Sequence, residues 1–249
     1  MPKLSSIGLS DTGLKRKNNE DALWVRADLG LCALADGVGG AADGELASEI
    51  FIRNTMDIFN NGGVHTERQT IELMSKVFVQ TNEAILDLAN DHSEREGMGC
   101  TGEIVVFYGD KFVIGHVGDS RVYLFRKGRL RQLTKDHSLV QQQLDDGLIT
   151  QADARKHPLR HVILRAVGAD DRLVVDIIKG KVAAGDLFLV CSDGLTDMID
   201  NAMVGGILAL DVPIDEKAGK LVSAANSAGG SDNITVILNA IETQGPSDS

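Results

Sequence analysis

The stretch LGLCALADGVGG, residues 29–40, joins an apolar run to an aspartate and then to residues with almost no side chain. A short apolar run bounded by glycine and aspartate is typical of a buried strand, so we expect a strand that ends at Asp36. Glycines beside this carboxylate let the backbone approach a ligand closely. A single Asp-Gly after a strand is, however, more often a simple turn.

The same arrangement recurs along the chain. Asp119 follows the apolar run IGHVG, Asp193 follows FLVCS, and Asp232 opens the run NITVILNAI. Carboxylates that converge raise each other's pKa unless a cation lies among them. Oxygen ligands of this kind suit Mg²⁺ or Mn²⁺. The group therefore predicts a metal cluster in preference to four unrelated turns.

Short apolar runs in two groups are typical of strands: ALWVRA, LGLCALA, GEIVVFY, KFVIGHVG, RVYLF, RLRQL, RLVVDII, DLFLVCS and NITVILNAI. Helical periodicity covers residues 45–60, 69–90 and 215–226. Short glycine-containing turns between the strands after Cys100 indicate an antiparallel meander. Segregated helices and antiparallel strands predict an α+β fold, with two packed sheets and the helices outside.

We expect residues 1–242 to form a single domain, because the sequence contains neither an internal repeat nor a linker. Residues 145–164 are polar and lack a strand pattern, which favours a flap over a surface site. Residues 243–249 are polar and are expected to be disordered.

Composition excludes some classes of partner. A formal charge of −11 at pH 7 opposes binding to nucleic acid. No apolar run approaches the roughly 18 residues of a membrane span. The cysteines Cys32, Cys100 and Cys191 are far apart and lie in or beside apolar runs, which is typical of reduced thiols in a cytoplasmic protein. We expect a cytoplasmic monomer.

The stretch GLKRKNNEDA, residues 13–22, adds Arg16, Glu20 and Asp21 to the candidate residues. Most such clusters are solvated charged turns. A guanidinium close to a pair of cations, however, can hold the oxygens of a phosphate in a planar fork. Arg16 is therefore a candidate phosphate ligand.

Eight short motifs occur in the order and with the spacing of one known family. They are SDTGLKRKNNEDA, ADGVGGAADGELAS, GCTGEIVV, GHVGDSRVYL, TKDHSLV, LRAVG, CSDGL and GGSDNITV. Through these motifs the chain resembles the metal-dependent, type 2C protein serine/threonine phosphatases of bacteria over nearly its whole length.

The resemblance implies a four-layer α-β-β-α sandwich with a binuclear Mn²⁺ or Mg²⁺ centre at one edge and a third, weaker cation site. It also implies hydrolysis of phosphoserine and phosphothreonine in proteins by a metal-activated water. The implied partners are phosphorylated proteins and a cognate serine/threonine kinase whose action the enzyme reverses.

The resemblance assigns roles to residues of the motifs. Asp36 would bridge the two cations, and the Gly37 carbonyl would bind one of them. Asp193 and Asp232 would bind the other cation. Arg16 would bind the substrate phosphate.

Four further residues have roles around this centre. Glu20 and Asp21 would act on the cations largely through water. Asp119 would hold the third cation together with Asp193. Asn233 would support the ligands without binding metal.

The sequence departs from the family pattern at Val38, where eukaryotic members commonly have a histidine that is a candidate general acid. Bacterial members often lack this histidine as well. The proton donor therefore stays open. A metal-bound water is favoured over His137 or His116, since single histidines are more often structural.

Other interpretations fit less well. Gly37, Gly39 and Ala42 match a dinucleotide fingerprint, but Asp36 would then lie beside the pyrophosphate. No cysteine is followed six residues later by the arginine that a cysteine phosphatase needs. The remaining alternative is a catalytically silent protein of the same fold that binds phosphoproteins, and its expected mark would be a missing metal ligand.

Overall fold

A computed structural model describes residues 3–39, 41–60, 66–95, 97–154 and 156–242. The expected disordered tail, residues 243–249, lies outside the described residues. None of the described helices has the length and apolar character needed to cross a membrane.

Two antiparallel sheets form the centre of the fold. In the first, five strands lie in the order β1 (Leu4–Asp11), β11 (Ile234–Ile241), β10 (Leu187–Cys191), β7 (Arg121–Arg126) and β8 (Arg129–Gln132). In the second, five lie in the order β2 (Asp21–Arg26), β3 (Leu31–Val38), β5 (Gly102–Tyr108), β6 (Lys111–Val117) and β9 (Asp176–Lys181), and β4 (Gly99–Cys100) pairs with the end of β3.

Helices cover the outer face of each sheet. The long helices α1 (Ala41–Phe59) and α2 (Glu67–Asp91) pack on the second sheet. The helices α5 (Asp193–Thr196), α6 (Asn201–Leu208) and α7 (Ile214–Ser227) lie against the first. The segment between β8 and β9 carries two short helices, α3 (Leu139–Asp145) and α4 (Gln151–Ala154).

The alternation of side chains along β3 explains its continuous apolar run. Leu31, Ala33 and Ala35 face the core under α1 and α2, whereas Cys32 and Leu34 face the core between the two sheets. A strand that is buried on both faces has no position for a polar residue. The predicted α+β sandwich of four layers is confirmed.

Several predicted boundaries were wrong. The strand β3 does not end at Asp36, since it continues to Val38 through pairing with β4. Helix α1 begins at Ala41, four residues before the predicted start, and β9 begins at Asp176 although the apolar pattern starts at Arg172. The strand β1 was missed because it is an edge strand rich in serine.

Candidate metal centre

Chain segments far apart in sequence bring carboxylates to one edge of the sandwich. The antiparallel register of β2 and β3 places Asp21 directly opposite Asp36. Asp119 lies in the turn between β6 and β7, and Asp193 is the first residue of α5, two residues after the end of β10. Asp232 lies two residues before β11. The five aspartates therefore reach this edge from five different strand ends or turns.

The electrostatics of this edge disfavour a fully ionised state. Desolvation raises the pKa of Asp36 and Asp193 well above the ordinary aspartate value, and neighbouring aspartates raise it further. Burial likewise raises the pKa of Asp21 to about 6 and that of Asp119 to about 7. One oxygen of Asp21, Oδ1, has no hydrogen-bond partner among the described residues. The cluster thus has more negative charge and more acceptors than its protein partners satisfy.

Arg16 lies on the loop between β1 and β2 and faces two of these acids. Its Nη2 is 2.8 Å from Asp232 Oδ2, and its Nη1 is 3.8 Å from Glu20 Oε1. Glu20 is buried, and desolvation raises its pKa. The side chain of Arg16 is 45% exposed, so the guanidinium remains accessible from the cleft.

Asn233 holds the loops of the site together. Its Oδ1 accepts a hydrogen bond from the backbone N–H of Glu20, and its Nδ2 donates to the carbonyls of Thr12 and Asn18. Ser192 makes a similar link, because its hydroxyl donates to Asp21 Oδ2 at 2.8 Å. These hydrogen bonds position the Arg16 loop and the start of β2 against the start of β11.

Glycine is required where β3 meets α1. A Cβ atom on Gly37 would collide with the carbonyl of Gly44, and one on Gly44 would collide with the Glu20 carboxylate. The backbones of β3 and α1 are therefore in contact at Gly37, whose carbonyl is the metal ligand that the resemblance implies.

An open cleft of about 420 Å³ lies over the cluster. Most of the predicted site residues line it, together with three residues of the segment between β8 and β9, Arg160, His161 and Ile163. The lining residues from the prediction are Arg16, Glu20, Asp36, Gly37, Asp119, Asp193, Asp232 and Asn233. Asp21 lies behind this surface, against Ser192.

The sequence analysis missed His161 and Asp197. A ring nitrogen of His161 and carboxylate oxygens of Asp193 and Asp197, all of them potential metal ligands, lie within 4.8 Å of one another. The spacing of Asp193 and Asp197 is one helical turn, which is a usable sequence signal, whereas nothing in the sequence relates His161 to them. Arg160 also contacts Asp197, with its Nε 3.4 Å from Oδ2.

The two histidines considered as proton donors do not line the cleft. His116 is fully buried and pairs with Glu103, and this carboxylate raises its pKa to about 9 against the opposing effect of burial. The Nδ1 of His137 accepts a hydrogen bond from the N–H of Gly118. Both side chains therefore have hydrogen-bond partners within the protein, Glu103 and Lys135 for His116 and Gly118 and Arg165 for His137.

Comparison with known proteins gives the family. A family model described as protein phosphatase 2C matches residues 15–232. The chain belongs to the protein phosphatase 2C family. Within this family it is 36% identical to the protein phosphatase PhpP of Streptococcus pneumoniae, over 92% of this chain and 94% of that protein.

Solved structures agree with this assignment. The serine/threonine phosphatase of S. agalactiae matches with a TM-score of 0.91 and 33% identity, over 96% of this chain and 100% of that one. The catalytic domain of the phosphatase PstP, described in complex with two manganese ions, matches with a TM-score of 0.86 and 34% identity, over 96% and 99%. The chain is a protein serine/threonine phosphatase, as the resemblance implied.

Proposed function

We propose that the acidic edge holds two divalent cations and that the phosphatase activity depends on them. The observation that supports this proposal is the convergence of four aspartates with raised pKa values, Asp36, Asp193, Asp119 and Asp21, and an Asp21 oxygen without a hydrogen-bond partner in the described part of the chain. Carboxylate and carbonyl oxygens are ligands that suit both Mn²⁺ and Mg²⁺. The residues present therefore fit such a centre.

The ligands would be the side chains of Asp36, Asp193 and Asp232 and the carbonyl of Gly37. Glu20 and Asp21 would act around them, and Asn233 would keep the surrounding loops in place. When bound, such a pair of cations would supply a water of lowered pKa as the nucleophile and stabilise the charge on the phosphate oxygens. Asp119 and Asp193 would hold a third cation.

Arg16 would bind the non-bridging oxygens of the substrate phosphate. Its guanidinium lies at the rim of the cleft beside Asp232 and Glu20. A planar fork of this kind matches the geometry of a phosphate.

His161 is the proposed proton donor to the serine oxygen that leaves. Among the described histidines it is the one that lines the cleft, and its Nδ1 is 3.3 Å from Asp197 Oδ2. This contact orients the ring and leaves Nε2 for the substrate.

We further propose that this phosphatase is a cytoplasmic monomer whose substrates are a cognate bacterial serine/threonine kinase and the proteins that this kinase phosphorylates. Its three cysteines are free and buried, which agrees with a reducing compartment. All the proposed ligands come from one chain, so the site needs no second copy.

The substitution Asp36→Asn tests the proposed centre. It removes metal-binding charge without removing volume, so we expect loss of manganese-dependent hydrolysis of p-nitrophenyl phosphate and weaker manganese binding by calorimetry, with the fold retained. Asp211→Asn, on an exposed loop, is the matched control and should keep both properties. Full turnover in Asp36→Asn would contradict the assignment, and manganese binding without turnover in the unaltered protein would favour the silent alternative.

A further inference from the structure

A second groove, of about 540 Å³, lies outside the cleft, between the end of β1 and helix α7. Its walls include Leu9 and Leu14 on one side and Val222 and Asn226 on the other. Nothing in the proposed reaction uses these residues. One residue of the groove, Leu14, nevertheless lies on the same loop as the proposed phosphate ligand Arg16, two residues before it.

Leu14 is exposed on a loop that backbone hydrogen bonds hold in place. Its side chain is 64% exposed, although the loop around it is tightly held. The N–H of Leu14 donates to the carbonyl of Gly230 at 2.8 Å, and the N–H of Gly13 donates to Asp11 Oδ1 at 2.8 Å. A large apolar side chain is thus presented to solvent from a loop with a defined conformation.

Charge at this loop complements one kind of occupant. Lys15 and Lys17 are exposed on either side of Arg16, in a protein whose formal charge is −11. A phosphoserine peptide is anionic and extended, and each of its residues spans about 3.3–3.6 Å. The Cα of Leu14 is at most about 7 Å from that of Arg16. If Arg16 binds the phosphate, peptide residues about two to four positions from the phosphoserine therefore come within reach of Leu14.

Asn226 adds a polar wall to the groove. Its Nδ2 donates to Asp11 Oδ1 at 3.1 Å, which sets the orientation of the amide. Its Oδ1 accepts no hydrogen bond from any residue that the structure describes. This oxygen is buried beside Gly230 and is not presented to the groove, so Asn226 serves to hold α7 against the end of β1.

We propose that this groove, which we call the Leu14 groove, binds an apolar side chain of the phosphoprotein substrate about two to four residues from the phosphoserine. The inference rests on the proposed function, because it takes Arg16 as the phosphate ligand. It makes the Leu14 groove a determinant of substrate choice that is separate from the chemistry at the metal centre.

The test compares pairs of phosphoserine peptides on the manganese-loaded, full-length protein. Within each pair, one position from two to four residues on either side of the phosphoserine is leucine or serine. For at least one position we expect kcat/KM to favour leucine by about five- to tenfold, since part of a leucine side chain leaves water. Leu14→Ala should reduce this ratio towards one, and Ser223→Trp, which fills the groove from the exposed side of α7, should do the same.

Leu210→Ala is the matched control, because Leu210 is also exposed (41%) but lies outside the groove. It should keep the ratio of the unaltered protein. Equal rates for every peptide pair, or a ratio that Leu14→Ala and Ser223→Trp leave unchanged, would overturn substrate binding by the groove. The proposed function would still stand in that case if the protein hydrolyses p-nitrophenyl phosphate. Absence of that hydrolysis in the unaltered protein would instead overturn the proposed function and the groove with it.

Discussion

Arg16 illustrates how much one side chain depends on its neighbours. It is exposed on a loop, yet Asp232 and Glu20 hold its guanidinium at the rim of the cleft. Asp232 and Glu20 also raise its pKa, which outweighs the opposing effect of desolvation. The arginine therefore stays charged and oriented where a phosphate would enter.

Replacing Arg16 by alanine should raise KM for phosphopeptides by about tenfold or more, because a charged hydrogen bond to the phosphate contributes about 1.5–3 kcal/mol. Arg16→Lys keeps the charge and loses the fork, so its KM should fall between those of the unaltered protein and Arg16→Ala. Steady-state kinetics on a phosphoserine peptide measures both values. An unchanged KM in Arg16→Ala would count against phosphate binding by this residue.

His161 can be tested through the chemistry of the leaving group. A serine alkoxide is a poor leaving group that needs a proton, whereas p-nitrophenolate leaves without one. His161→Ala should therefore lower kcat on a phosphoserine peptide by about a hundredfold and lower kcat on p-nitrophenyl phosphate much less. His157→Ala, on the same segment but outside the cleft lining, is the control. Equal losses on the two substrates would exclude proton donation by His161.

At the scale of elements, the approach of α1 to β3 decides where the ligands lie. The two backbones meet at Gly44 and Gly37, with the Glu20 carboxylate against the same point. Any side chain there separates helix and strand, and displacements of about 1 Å at an active site can lower rates by about a hundredfold.

We therefore expect Gly44→Ala to destabilise the protein by about 1–3 kcal/mol and to lower kcat. Gly206→Ala is the matched control, because Gly206 lies exposed in α6 with nothing near its would-be Cβ. That substitution should stabilise the protein by about 0.5–1 kcal/mol, since alanine favours a helix more than glycine does. Thermal unfolding of both variants checks the pair, and a stabilised, fully active Gly44→Ala would refute the close contact.

At the scale of the whole molecule, the acidic edge links metal binding to folding. A carboxylic acid whose pKa the fold raises contributes stability below its ordinary pKa, near 3.8 for aspartate, and this contribution is lost as pH rises through its value in the folded protein. For Asp21 and Asp119 the folded values are about 6 and about 7. The metal-free protein should lose this stability between about pH 4 and pH 7.

Manganese should therefore raise Tm more at pH 7.5 than at pH 5, because at low pH it must displace protons and at high pH it relieves the repulsion between carboxylates. The measurement is the Tm with manganese minus the Tm with EDTA at each pH. This difference separates the effect of the acidic edge from that of His137, whose pKa burial lowers to about 4. Asp36→Asn should flatten the trend. A manganese effect on Tm that is constant or falls with rising pH would contradict the proposed centre.

Much of this architecture follows from local chemistry. The alternating and continuous apolar runs predicted most strands, since a strand buried on both faces tolerates no polar side chain. The strand β1 could not be predicted in the same way, because its serines pair with partners over two hundred residues away, such as Ser6 with Asn239.

Local sequence patterns suffice to show that aspartates follow or precede apolar strands, that glycines accompany them, and that Arg16 is followed within five residues by Glu20 and Asp21. Contacts between distant segments place Asp21 opposite Asp36, tie Asn233 to the loop between β1 and β2, and bring His161 and Asp197 beside Asp193. The reason is physical: strand register and the packing of one backbone on another depend on contacts between segments that no local pattern records.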